Sequence, residues 1–100
     1  MYTIFRYIVY TAPAFAENAT CTVESIDADS ATVSWPAPST ARFYDIYVGS
    51  GNSSNSTSNI HTVAGLDPIT NYTFTVTVYG NAGSEGNSVE CHGKTGLQLM

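Results

Sequence analysis

The sequence predicts an all-β fold: an antiparallel sandwich of two packed sheets with about seven strands. Three observations carry that prediction. From Cys21 onward, short segments alternate apolar with polar residues. Turn-forming residues separate these segments at roughly 8–12-residue spacing. No segment shows the helical repeat of apolar positions, and one hundred residues hold a single hydrophobic core.

The strands follow in order. Cys21 to Ile26 reads as the first, with Val23 and Ile26 apolar. Asp27-Ala28-Asp29-Ser30 is a turn whose short polar side chains bond local backbone. In the second strand Ala31, Val33 and Trp35 alternate with Thr32 and Ser34, which makes Trp35 the largest member of a core face. Pro36-Ala37-Pro38 ends it, because proline donates nothing to a ladder and restricts the preceding residue. In the third strand Asp45 decides the orientation. A buried unpaired carboxylate is costly, so Phe43, Asp45 and Tyr47 face outward and Tyr44, Ile46 and Val48 face the core.

Gly49 to Asn59 is a polar run, read as an exposed loop with at most one short edge strand. Ile60 to Val63 is a short strand with Val63 and His61 inward. The clearest strand has Tyr72, Phe74, Val76 and Val78 on one face and Thr73, Thr75 and Thr77 on the other. Gly80 to Asn87 is a glycine-rich turn region, and a final strand from about Ser88 to Thr95 puts Val89 and Cys91 on one face.

Residues 1–16 stand outside this pattern and are read as no part of the core. Arg6, the apolar stretch after it and Ala14-Phe15-Ala16 loosely resemble a signal peptide cleaved before Glu17. The preferred alternative takes Phe5 to Tyr10 as the last strand of a preceding domain and Thr11-Ala12-Pro13 as the linker. The domain itself is then residues 17–96, with 97–100 as a C-terminal tail.

Composition narrows the function classes. Eight acidic residues against Arg6, Arg42 and Lys94 give a net charge of -5, which is no footprint for nucleic acid or anionic lipid. No apolar run reaches the 18 or so residues that span a bilayer, so direct membrane insertion is not expected. Cys21 and Cys91 bracket the patterned region. In an oxidising compartment they close a loop of about 70 residues, worth roughly 4 kcal/mol; the alternative is two buried thiols, and the disulfide is preferred. Asn18, Asn52, Asn55 and Asn71 stand in glycosylation acceptor triplets, where composition alone gives about 1.7. Both features agree with an extracellular, secreted or cell-surface location.

With these residues in place a family becomes visible. Trp35 closing the second strand, Tyr44-x-Ile46-x-Val48, and Gly65-Leu66-x-Pro68-x-Thr70-x-Tyr72-x-Phe74-x-Val76 resemble the fibronectin type III domain, an immunoglobulin-like sandwich. The form of Gly65 to Gly86 is similar to tandem repeats in receptor-type tyrosine phosphatase ectodomains and other cell-surface proteins. The resemblance implies that Trp35, Tyr44 and Leu66 are core residues, and that the Tyr72 hydroxyl bonds backbone a few residues upstream at the corner between sheets. Two departures stand out: Gly49 to Asn59 is more polar than a well-formed fourth strand, and the Cys21/Cys91 pair is no general feature of the family.

Candidate chemistry is sparse. His61, His92 and the two cysteines lack zinc spacing, and Cys91 and His92 point to opposite faces of one strand. Asp27 and Asp29 are too few for a calcium shell and read as turn residues. No Gly-x-Ser-x-Gly elbow accompanies the many serines. No catalytic residue, cofactor or metal is expected. The implied function is a non-catalytic adhesion, protein-interaction or spacer module; the alternative is an accessory spacer domain of a secreted enzyme such as a glycoside hydrolase. Recognition then falls to loops Pro36–Ala41 and Gly80–Asn87 and to exposed Phe43, Tyr47 and Tyr79.

Overall fold

The computed structural model describes residues 12–49, 51 and 53–96. The signal-like or strand-like segment before residue 12, Asn52 and the 97–100 tail lie outside the described residues. Seven strands form among the described residues: β1 Thr22–Ile26, β2 Ala31–Ser34, β3 Phe43–Val48, β4 Ser53–Ser56, β5 Ile60–Val63, β6 Asn71–Tyr79 and β7 Glu85–Lys94. They make a three-stranded sheet in the order β1-β2-β5 and a four-stranded sheet in the order β4-β3-β6-β7, with every pair antiparallel.

The alternation read from the sequence sets which face is buried. Tyr44, Ile46 and Val48 of β3 pair with Val78, Val76 and Phe74 of β6, and all six are buried. Val33 and Val63 close the core from the other sheet. Trp35 packs edge-on against Tyr44 with ring centroids 5.2 Å apart. Its strand end is clamped by Asn59, whose carbonyl accepts from the Trp35 N–H and whose side-chain amide donates to the Trp35 carbonyl at 2.9 Å. The polar segment does form an edge strand: Ser53–Ser56 pairs with β3, Asn55 standing opposite Asp45. It buries no residue, so backbone pairing alone holds it.

The structure corrects the N-terminal reading. Phe15 is a core residue, 4% exposed, its ring 6.4 Å from that of Tyr44. Its N–H donates to Asn87 Oδ1 at 2.7 Å, and Asn87 Nδ2 donates to its carbonyl at 3.1 Å, so one amide side chain replaces a strand neighbour. Pro13 lies against Gly80 and Gly86. A Cβ on Gly86 would overlap the Pro13 carbonyl and sit 2.8 Å from Val78 Cγ1; only glycine lets the strap dock. A lone aromatic two residues after a proline carries no periodicity, which is why pattern alone misses it. Two smaller differences occur in the last hairpin. Asn81–Gly83 forms a short 3-10 turn, and β7 begins at Glu85 rather than near Ser88.

Cys21 and Cys91 are disulfide-bonded, with Cα atoms 5.3 Å apart. The bond joins the residue before β1 to β7 and so ties one sheet to the other.

Candidate functional site

Three surfaces carry the residues singled out above. The corner comes first. Leu66 is buried and its N–H donates to the Asp29 carbonyl, which places Asp29 in a structural turn. The Asp67 N–H donates to the Tyr72 hydroxyl at 2.8 Å, the corner contact that the family resemblance implies. One residue of this corner escaped the sequence pattern. Thr95 is 2% exposed; its hydroxyl donates to the Asp67 carbonyl at 2.6 Å and accepts from the Thr70 N–H at 2.9 Å. Nothing distinguishes a threonine at a strand end from its solvated neighbours until the chain folds back on it. The same corner holds Ile69 at φ 51°, a left-handed conformation that a β-branched residue rarely adopts.

The second surface is the outer face of the four-stranded sheet. Tyr47 is half exposed. Phe43 and Tyr79 are not separate exposed aromatics: their rings stack flat, 4.8 Å between centroids and 2° between planes. Each ring covers one face of the other, so less aromatic surface is on offer than the sequence implies. Burial, and after it the negative charges of Glu85 and Asp45, raise the Tyr79 hydroxyl above the ordinary phenol range. The threonines of β6 bond across the sheet, Thr77 Oγ1 to Ser88 Oγ at 2.7 Å and Thr73 Oγ1 to His92 Nδ1 at 3.0 Å. His92 Nε2 also lies 3.5 Å from Glu90 Oε1. These side chains stabilise pairing and leave this face hydrophilic.

The third surface is the pole built by the β2–β3 and β6–β7 connections. The Arg42 N–H donates to the Tyr79 carbonyl at 2.8 Å, and Arg42 Nε donates to Asn81 Oδ1 at 2.6 Å. The two loops are therefore neighbours, with a small cleft lined by Ser39, Thr40, Ala41, Arg42 and Asn81. Pro13 packs beside Gly80 at this same pole.

The remaining sequence candidates are dispersed. Asn18, Asn55 and Asn71 are exposed, in a turn, on β4 and at the start of β6 respectively. Trp35 is 3% exposed and presents no stacking platform. Among the described residues no three His, Cys, Asp or Glu side chains converge on one point, and no helix is long and apolar enough to cross a membrane.

Comparison with known proteins gives the architecture its family. Among solved structures, the chain is similar to chitinase ChiA74 from Bacillus thuringiensis, with a TM-score of 0.74 and 24% identity over 86% of this chain. The match takes in 14% of the chitinase chain. The protein FN3tt is matched at TM-score 0.70 and 19% identity, over 87% of this chain and 98% of the other. A fibronectin type III domain of the human KIAA0970 protein is matched at TM-score 0.67 and 17% identity, over 79% and 73% of the two chains. Among curated proteins no sequence matches. The family description "Fibronectin type III domain" matches residues 12–93, a span that takes in the Pro13–Phe15 strap, the corner and the last hairpin; with those features seen in the fold, the chain belongs to the fibronectin type III family.

Proposed function

We propose that this domain is a non-catalytic spacer and protein-interaction module of a secreted or cell-surface protein. The carrying observation is where the chain passes through the sandwich. Pro13 packs on Gly80 and Gly86 at one pole, while Thr95 and Gly96 bond Thr70 and Asp27 at the other. Strand β7 runs between them, and the eight steps from Gly86 to Lys94 at about 3.3 Å each span roughly 26 Å. Flanking segments are thus held apart by a rigid body whose sheets are cross-linked. The disulfide and the exposed acceptor triplets support an oxidising, extracellular setting.

Two orthogonal spin labels at exposed Ala14 and Lys94 measure this directly. A narrow distance distribution near the strand length is expected; a broad one would mean the strap does not hold its pole. Expression in a glycosylating eukaryotic host, followed by enzymatic deglycosylation, should shift the gel band. An unmoved band means that Asn18, Asn52, Asn55 and Asn71 are not modified.

A second reading is favoured by the chitinase match: the domain is an accessory spacer of a secreted enzyme such as a glycoside hydrolase. The parent gene decides between them. Flanking repeats of Leu-x-Pro-x-Thr-x-Tyr support the cell-surface reading, and a flanking catalytic domain supports the enzyme-linked one.

A further inference from the structure

A groove of about 390 Å³ lies against the corner, lined by Gly49, Asp67, Thr70, Asn71, Tyr72 and Thr73, and its size is that of small-ligand sites. Its polar groups are only partly used. The Tyr72 hydroxyl accepts from the Asp67 N–H at 2.8 Å, and among the described residues nothing accepts its own proton. The Asp67 carboxylate is exposed and also lacks a partner among the described residues. Gly49 keeps the Thr73 end uncovered. Its N–H is held by the Thr73 carbonyl at 3.0 Å, and a side chain at this position would begin 3.7 Å from that same carbonyl oxygen. The groove also adjoins an asparagine that the sequence marks for a sugar. Asn71 opens β6, is exposed, and heads the Asn71-Tyr72-Thr73 acceptor triplet.

We propose that the first N-acetylglucosamine of an N-linked glycan on Asn71 packs in this groove, with the Asp67 carboxylate accepting from a sugar hydroxyl and the Tyr72 hydroxyl donating to a sugar oxygen. The proposal rests on the secreted reading, in which the acceptor triplets are used. The occupant is supplied by the chain itself. Because Asn71 lines the groove, its sugar is tethered there and incurs no cost of association, so a few weak contacts hold it. A carboxylate acceptor makes the stronger kind of hydrogen bond. The modification joins Asn71 Nδ2 to the anomeric carbon of an oligosaccharide as that carbon's bond to its lipid diphosphate carrier breaks; the amide loses one proton and the lipid diphosphate leaves. In the folded domain the Thr73 hydroxyl is bonded to His92 Nδ1 at 3.0 Å and Asn71 is paired with Lys94, so the triplet is modified before β6 pairs with β7. The sugar is then present as the corner closes, and its contacts with Asp67 and Tyr72 exist only in the folded state.

The test uses the full 100-residue chain carrying Asn18→Gln, Asn52→Gln and Asn55→Gln, so that Asn71 is the one acceptor left. It is secreted behind a cleavable leader from a host that makes only high-mannose glycans. Calorimetry compares the fully glycosylated form, the form trimmed by endoglycosidase to one N-acetylglucosamine, and bare protein from a bacterial periplasm. The first two should melt alike, about 4–8 °C above the bare form, the shift that about one hydrogen bond gives. Asp67→Ala leaves the backbone bond to Tyr72 in place and should remove most of that difference between forms. In ¹⁵N spectra, the shifts between bare and single-sugar protein should reach residues 49, 67 and 70. Equal midpoints, or shifts confined to residues 71–73, overturn the packing and leave glycosylation standing. A gain that is lost on trimming overturns the assignment to the first sugar, and one that survives Asp67→Ala overturns the carboxylate contact. A chain that carries no glycan at Asn71 overturns this site together with the use of that triplet.

Discussion

Breaking the Cys21–Cys91 bond is the perturbation whose size follows most directly from the structure. The bond closes a loop of 70 residues. Chain-entropy reasoning values that constraint on the unfolded state at about 4 kcal/mol. A domain of this size has a total stability of about 5–15 kcal/mol, so the loss is large without abolishing the fold. The reduced sandwich keeps its all-apolar centre, in which Phe74, Ile46, Val33, Val48, Val76 and Val78 are fully buried. At about 4–8 °C per kcal/mol, the melting midpoint should fall by roughly 20 °C. Calorimetry of the chain with and without a phosphine reductant, checked against Cys21→Ala/Cys91→Ala, measures it. The far-ultraviolet spectrum at 20 °C should stay that of a folded β protein. A fall of less than about 5 °C would refute the reasoning, because the unfolded chain would then gain little from losing its longest constraint.

Other outcomes test the remaining parts. Tyr72→Phe removes the acceptor of an exposed Asp67 N–H; water replaces it, so the loss should be about 1 kcal/mol in chemical denaturation, and an unchanged midpoint would mean the corner bond contributes nothing. Gly86→Ala should displace Pro13, costing about 1–3 kcal/mol and speeding hydrogen exchange at the Phe15 amide; a protected Phe15 amide would show that the strap docks otherwise. Ile69→Gly relieves a left-handed conformation and should be neutral or stabilising by up to about 1 kcal/mol, whereas a clear loss would mean its exposed side chain packs. Burial raises the Tyr44 hydroxyl above its ordinary value of 10.0. The neutral phenol is therefore favoured by folding: this contribution is complete below pH 10 and is lost as pH rises through the folded value. The midpoint should fall in that alkaline range, less steeply in Tyr44→Phe, and an identical slope in the variant would remove Tyr44 as a cause.

Local pattern made most of the scaffold legible. Alternation in β3 and β6 named the buried faces because a strand has only two sides, and the cost of burying Asp45 chose between them. The family resemblance carried by Leu66 to Tyr72 named the corner. The loop pole was legible only as two loops that the fold brings side by side. That Arg42 lies pinned between them, its Nε on Asn81, was not. A contact between residues 39 apart leaves no trace in either local segment. The stacking of Phe43 on Tyr79 was hidden for the same reason, since it depends on the register of β3 against β6.

By itself, then, the sequence determined the class of fold, the faces of its strands and the acidic charge balance, and its resemblance to a family placed the corner. Tertiary structure alone decided that Phe15 belongs to the core, that Thr95 staples the corner, that Cys21 reaches Cys91, and which loop groups converge. Periodicity reports how a residue sits relative to its own strand. Burial of a strap, closure of a disulfide and assembly of a cleft depend on which strands become neighbours, and that is set by the packing of the two sheets as a whole.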